Sequence, residues 1–112
     1  MLRMTPDKSL KDLPCSIVAV SCAVKEPKGY PELRKDGYAT LDAANKYIRI
    51  NLPIKNRIDY KRGHRPKLKD MKFEGRAIVC VYGHFIYVDK DQYWSFFDND
   101  EDEVVNVWNI KS

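Results

Sequence analysis

Apolar patterning is densest between Ala77 and Asn99. Ala77–Tyr82 is an apolar run rich in β-branched residues, the composition of a well-buried strand. Gly83 breaks it, His84 follows at once, and Phe85, Ile86, Tyr87 and Val88 continue the extended pattern. Asp89–Gln92 is a polar turn. Tyr93–Phe97 is a further aromatic strand that runs into Asp98, Asn99 and Asp100. This alternation of apolar runs and turn residues predicts a β-hairpin. A turn centred near Lys90 and Asp91 brings Ser95–Asp98 across from His84. Strict pairing sets His84 opposite Phe97 and favours the Ser95 face. A one-residue bulge or longer loop sets it opposite Phe96 and brings Asp98 onto its face. The bulged register is expected, because a carboxylate, unlike a serine, also stabilises an imidazolium.

Upstream, residues 1–11 read as an extended or loosely ordered lead-in. Cys15–Val24, CSIVAVSCAV, is a short helix apolar on nearly every side, which predicts burial. Asp12 is its expected N-cap, with Pro14 in the first turn, where a missing N–H costs nothing. Lys25–Gly37 is a polar connection. Thr40 can cap a second helix over Leu41–Ile50, stopped by Leu52 and Pro53. Leu41, Ala44, Tyr47, Ile48 and Leu52 recur at helical spacing and form its core face, while Asp42, Asn45, Lys46 and Arg49 face water. Ile54, Ile58 and Tyr60 suggest a short strand. Val104–Ile110 is the last strand, with Val105, Val107 and Asn109 on one face and Val104, Asn106, Trp108 and Ile110 on the other. The expected architecture over residues 1–112 is a single α+β domain, a buried N-terminal helix and a second helix packed on a small antiparallel sheet.

Composition narrows the function classes. A chain of 112 residues suits one core, and a net charge of +4 permits an acidic partner without demanding one. No apolar run is long enough to span a membrane, and MLRMTPDKSLKDLP has no signal-peptide core, so a cytoplasmic protein is expected. Three cysteines at irregular spacing give neither a disulfide framework nor a CxxC metal motif, so neither metal nor cofactor is expected. Cys22 and Cys80 read as small buried hydrophobes. Cys15 differs in lying in the first helical turn, where the dipole and free N–H groups favour a thiolate.

Residues 54–76 carry Arg57, Lys61, Arg62, Arg65, Lys67, Lys69 and Lys72, with Gly63 and Pro66 marking a turn. Such a run reads either as a solvated loop or as a contact for phosphates, nucleic acid or an acidic protein partner. His64, inside it, is expected to be exposed.

A cysteine opening a buried helix, then a histidine opening a strand, then a carboxylate ending the next strand is the order Cys15, His84, Asp98. With Asp12-Leu13-Pro14-Cys15, Gly83-His84-Phe85-Ile86-Tyr87-Val88 and Phe97-Asp98-Asn99, this order resembles the papain-like cysteine peptidase superfamily. The small single-domain forms of phages and mobile elements, and leader-trimming peptidase domains, look most similar. The likeness covers 12–25 and 75–110 in detail. It implies a papain-like fold, a peptide or protein substrate, Cys15 as nucleophile, His84 as base and Asp98 as its orienting group. The alternative is a non-catalytic protein of the same fold that holds a host protein or nucleic acid through its basic loop.

Overall fold

The computed structural model describes residues 1–25 and 41–111. Among these residues two helices, α1 (Cys15–Val24) and α2 (Leu41–Asn51), accompany six strands. These are β1 (Leu2–Met4), β2 (Ile54–Asp59), β3 (Arg76–Val81), β4 (His84–Asp89), β5 (Gln92–Trp94) and β6 (Val104–Ile110). They form one α+β unit around a mixed sheet in the order β1-β5-β4-β3-β6-β2, in which β1 pairs parallel to β5 and every other pairing is antiparallel. The lead-in is therefore more than loose chain: Leu2–Met4 adds an edge strand, and a 3-10 turn follows at Lys8–Leu10. The sheet is accordingly mixed rather than purely antiparallel.

Helix α1 is buried for the reason its composition gives. Ile17, Val20, Ala19 and Ala23 are at most 2% exposed and pack with Ala44, Tyr47 and Ile48 of α2 against Ile78, Phe85, Tyr87 and Trp108 of the sheet. Each of the larger side chains, such as Ile17, Val20, Ile48 and Phe85, contributes roughly 1.5–3 kcal/mol on removal from water. The opposite face is dry as well. Val79, Ile86, Val88, Tyr93 and Val107 form a second cluster, closed by Leu68 and flanked by Tyr60, Met71 and Phe73. A sheet covered on both faces explains why Ala77–Val81 reads as a continuous apolar run instead of alternating.

Two local expectations change. Asp12 does not cap α1; the N-cap is Pro14, with no side-chain bond, and the Asp12 side chain is exposed. Strand β6 does not keep strict alternation. Its pairing with β3 shifts between Cys80 and Val81, so Val105 is an extra residue. Val104 then joins Val107 in the second cluster, while Val105 packs toward the helices. Helix α2 follows its pattern, with Ala44, Tyr47, Ile48 and Leu52 buried and Lys46 and Arg49 exposed. Leu52 N–H still bonds the Ile48 carbonyl before Pro53 ends the helix. The Thr40 cap, the connection from 26 to Gly37 and the side chains of Leu41 and Asp42 lie outside the described residues.

Candidate active site

Cys15 is the first residue of α1. The Pro14 carbonyl accepts the first helical bond, from Val18 N–H at 3.1 Å, so the N–H groups of Cys15, Ser16 and Ile17 precede the intrahelical ladder. No side-chain cap occupies these donors, so Cys15 lies at the uncapped, positive end of the helix dipole.

His84 opens β4. A tight turn through Tyr82 and Gly83 returns the chain from Val81, and Gly83 adopts φ +70°, a conformation that glycine enters without steric cost. His84 pairs with Val81 on one side, but β5 ends at Trp94, short of the position opposite His84. The ring is thus free of a paired strand on that side and meets the loop that follows β5. Phe97 packs edge-on against it, with centroids 5.7 Å apart.

Cys15, His84 and Ser95 line one cavity of about 160 Å³, together with Lys11. Phe85, Trp94, Phe96 and Phe97 give it aromatic walls. The thiol and the imidazole share this cavity without a direct hydrogen bond between them. One nitrogen of the ring is held: Nε2 lies 3.3 Å from Ser95 Oγ. Ser95, 2% exposed, donates to Asn99 Oδ1 at 2.6 Å and accepts from Phe97 N–H at 3.1 Å. Asn99, 5% exposed, passes its amide to Asp102 Oδ2 at 2.7 Å. Burial lowers the His84 pKa below its ordinary 6.5, and the negative charge of Asp102 opposes that shift. Cys80 is buried as expected, but Cys22 is only half-buried; desolvation pushes the Cys22 thiol up to about 11 and is also the main cause that pushes Cys80 up to about 11, so both stay protonated at neutral pH.

Asp98 is not the partner of His84. It is exposed, accepts from Tyr93 Oη at 3.3 Å and closes a turn by accepting Asp100 N–H at 3.1 Å. The reason is the register: Asp89 pairs with Gln92 and Tyr87 with Trp94, with no bulge, and the Ser95 face is the one presented to His84. Asp102 has no role in the sequence analysis, and Asn99 has one there only within the stretch Phe97-Asp98-Asn99. Their one signal is spacing: a buried Asx four residues after Ser95 and an acid three residues after that.

The basic segment is largely spent on the protein itself. Arg57 lies over the Trp108 ring at 4.8 Å and bonds Asp59 and Asn45. Arg65 donates to the Tyr60 carbonyl, and Lys67 and Lys69 both pair with Glu101. Lys61 and Arg62 are exposed, as is His64. A wider groove of about 720 Å³, lined in part by Lys55, Tyr60, Lys72 and Arg76, contains neither a cysteine nor a histidine. Among the described residues no three His, Cys, Asp or Glu side chains come together as a metal site, and no helix is long and apolar enough to cross a membrane. Comparison with protein families, with curated proteins and with solved structures finds no match.

Proposed function

We propose that this chain is a small cysteine peptidase, or a related acyl-transfer hydrolase, similar in design to the papain-like enzymes, with Cys15 as nucleophile and His84 as general base and acid. One observation carries the reading: the thiol at the N-terminus of α1 and the imidazole heading β4 line a single cavity, and one nitrogen of the imidazole is held by a buried serine of the same cavity. A nucleophile, a base and an orienter of the base in one place is the arrangement that covalent acyl transfer requires.

The chemistry is direct. Cys15 gives its proton to His84 and the thiolate attacks the carbonyl carbon of a peptide or other acyl substrate. Negative charge gathers on the carbonyl oxygen, and the unused N–H groups opening α1 are the donors available to it. His84 passes its proton to the leaving amine, so the C–N bond breaks and a thioester to Cys15 remains. Water, deprotonated by His84, attacks that thioester and releases the acid, and the proton returns to the thiol. Ser95 takes the orienting role that the sequence reading gave to Asp98.

The alternative, a binding protein that uses the basic loop, draws less support, because Arg57, Arg65, Lys67 and Lys69 make internal contacts. Incubation of the protein with a mixture of synthetic peptides, followed by mass spectrometry, tests the proposal. Cleavage products that vanish in Cys15→Ala and in His84→Ala are expected. Products that persist in both variants, or a wild-type protein that leaves every peptide and simple ester intact, would overturn it.

A further inference from the structure

The hydrogen bonds behind His84 can hold together in only one way, and the order of their donors fixes the proton on the ring. Asp102 is acceptor-only when ionised, so the side chain that meets it at 2.7 Å must present N–H, and Asn99 turns its amide nitrogen to Asp102. That leaves Asn99 Oδ1 facing Ser95 at 2.6 Å, and a carbonyl oxygen can only accept. The single hydroxyl proton of Ser95 is therefore committed to Asn99. What Ser95 offers on its other side is lone pairs, and it receives Phe97 N–H at 3.1 Å and His84 Nε2 at 3.3 Å. His84 Nε2 must then carry hydrogen. In the neutral ring this leaves Nδ1 as the bare, proton-accepting nitrogen.

We propose that Asp102 is a positioning residue for His84, acting through Asn99 and Ser95, so that a carboxylate with no contact to the imidazole selects its Nε2–H tautomer and favours its protonated form. The inference rests on His84 being the base, but its geometry does not depend on turnover. Ser95 and Asn99 are 2% and 5% exposed, so water does not compete freely for their hydrogen bonds, and a chain of dipoles in a poorly solvated place transmits orientation well. The relay also gives the loop after β5 a purpose. Tyr93 Oη accepts Asn99 N–H at 3.2 Å, and Asp102 N–H bonds the Asn99 carbonyl at 3.0 Å, so backbone bonds fix Asn99 on both sides.

The other titratable groups around the ring are Cys15 from α1, Lys11 from the turn before it and Cys80 from β3, which meets the His84 backbone. Asp102 is the carboxylate whose charge reaches His84. A structural role alone, a turn held shut by Asx bonds, predicts no dependence of the ring's tautomer on these hydrogen bonds, whereas the charge of Asp102 acts on the ring's protonation in either case.

The test is nitrogen-15 NMR of histidine-labelled protein across pH. For the wild type the expected result is an Nε2–H tautomer for His84 at neutral pH. In Asp102→Asn the His84 midpoint should move to lower pH, and in Ser95→Ala the tautomer preference should weaken. An Nδ1–H tautomer in the wild type, or an unmoved midpoint in folded Asp102→Asn, would overturn the relay. The wild-type tautomer needs no substitution, so a variant that fails to fold leaves the test intact. A protein with the expected tautomer and midpoint shift but no hydrolytic activity would retain the relay and sink the peptidase reading. An active protein with the opposite tautomer would do the reverse.

Discussion

His84 Nε2 faces Ser95 Oγ at 3.3 Å, and the serine, not the carboxylate three residues beyond it, holds the imidazole. Chemistry alone favours Asp98, because a carboxylate stabilises an imidazolium better than a hydroxyl does. Backbone geometry decides otherwise. The two-residue turn at Lys90 and Asp91 pairs Asp89 with Gln92 and leaves no extra residue to shift the register. The carboxylate is still present, but it stands two hydrogen bonds further back, at Asp102.

Exchange of the two residues separates their roles. Ser95→Ala removes the acceptor from His84 and leaves Phe97 N–H and Asn99 Oδ1 without their partner. Hydrolysis should slow by on the order of 10- to 100-fold, as expected when a general base loses its orientation. Stability should fall by about 1–3 kcal/mol, the cost of an unsatisfied buried group. Asp98→Ala, on the exposed turn, should leave the rate within about twofold. Steady-state kinetics with urea unfolding of each variant is the check.

The thiols should separate by reactivity. At pH 8 a thiol with pKa about 11, as burial gives Cys22 and Cys80, is ionised on the order of one part in a thousand. Iodoacetamide should therefore label Cys15 first, read by mass spectrometry of peptides at increasing times. Equal labelling of the three would remove the special position of Cys15.

Stability should also depend on pH through His84. Burial lowers its folded pKa, while the unfolded chain titrates near 6.5. As pH falls below 6.5 the unfolded state takes up the proton first, so the stability present above 6.5 is progressively lost until the folded value is passed. Urea midpoints from pH 7.5 to 5 should fall more steeply for the wild type than for His84→Asn. Parallel curves would contradict the direction of the shift.

Joint replacement of Arg62, Arg65 and Lys67 by alanine should leave both the thermal midpoint and the hydrolysis rate nearly unchanged. The Lys67–Glu101 pair is solvent-exposed and contributes little, and Arg65 makes one long bond of 3.4 Å to the Tyr60 carbonyl. A large loss of activity would bring the basic loop back into the site.

What the sequence makes legible follows from short-range physics. The buried helix at Cys15–Val24, the amphipathic helix before Pro53 and the hairpin turn at Lys90 all announce themselves through local pattern, and all are present; Gly83 announces a break in the apolar run, which the structure makes a tight turn between β3 and β4. The parallel pairing of Leu2–Met4 with Gln92–Trp94 joins residues about ninety positions apart, and no local pattern encodes it. The bulge at Val105 breaks alternation for a packing reason that only the sheet reveals. At the site, Cys15 and His84 stand out by residue type and by position at the start of an element. Asn99 and Asp102 do not, because Asx residues in a polar turn look alike whether they close the turn or carry a hydrogen bond inward.

The most direct measurement is acylation of Cys15 by p-nitrophenyl acetate. The wild type should release a burst of nitrophenolate close to one equivalent per chain and gain one acetyl group on Cys15, located by mass spectrometry. The burst should disappear in Cys15→Ala and slow by on the order of 10²-fold or more in His84→Ala. A wild-type protein that acquires no acetyl group on Cys15, or a His84→Ala variant acylated as fast as the wild type, would contradict a Cys15–His84 catalytic pair.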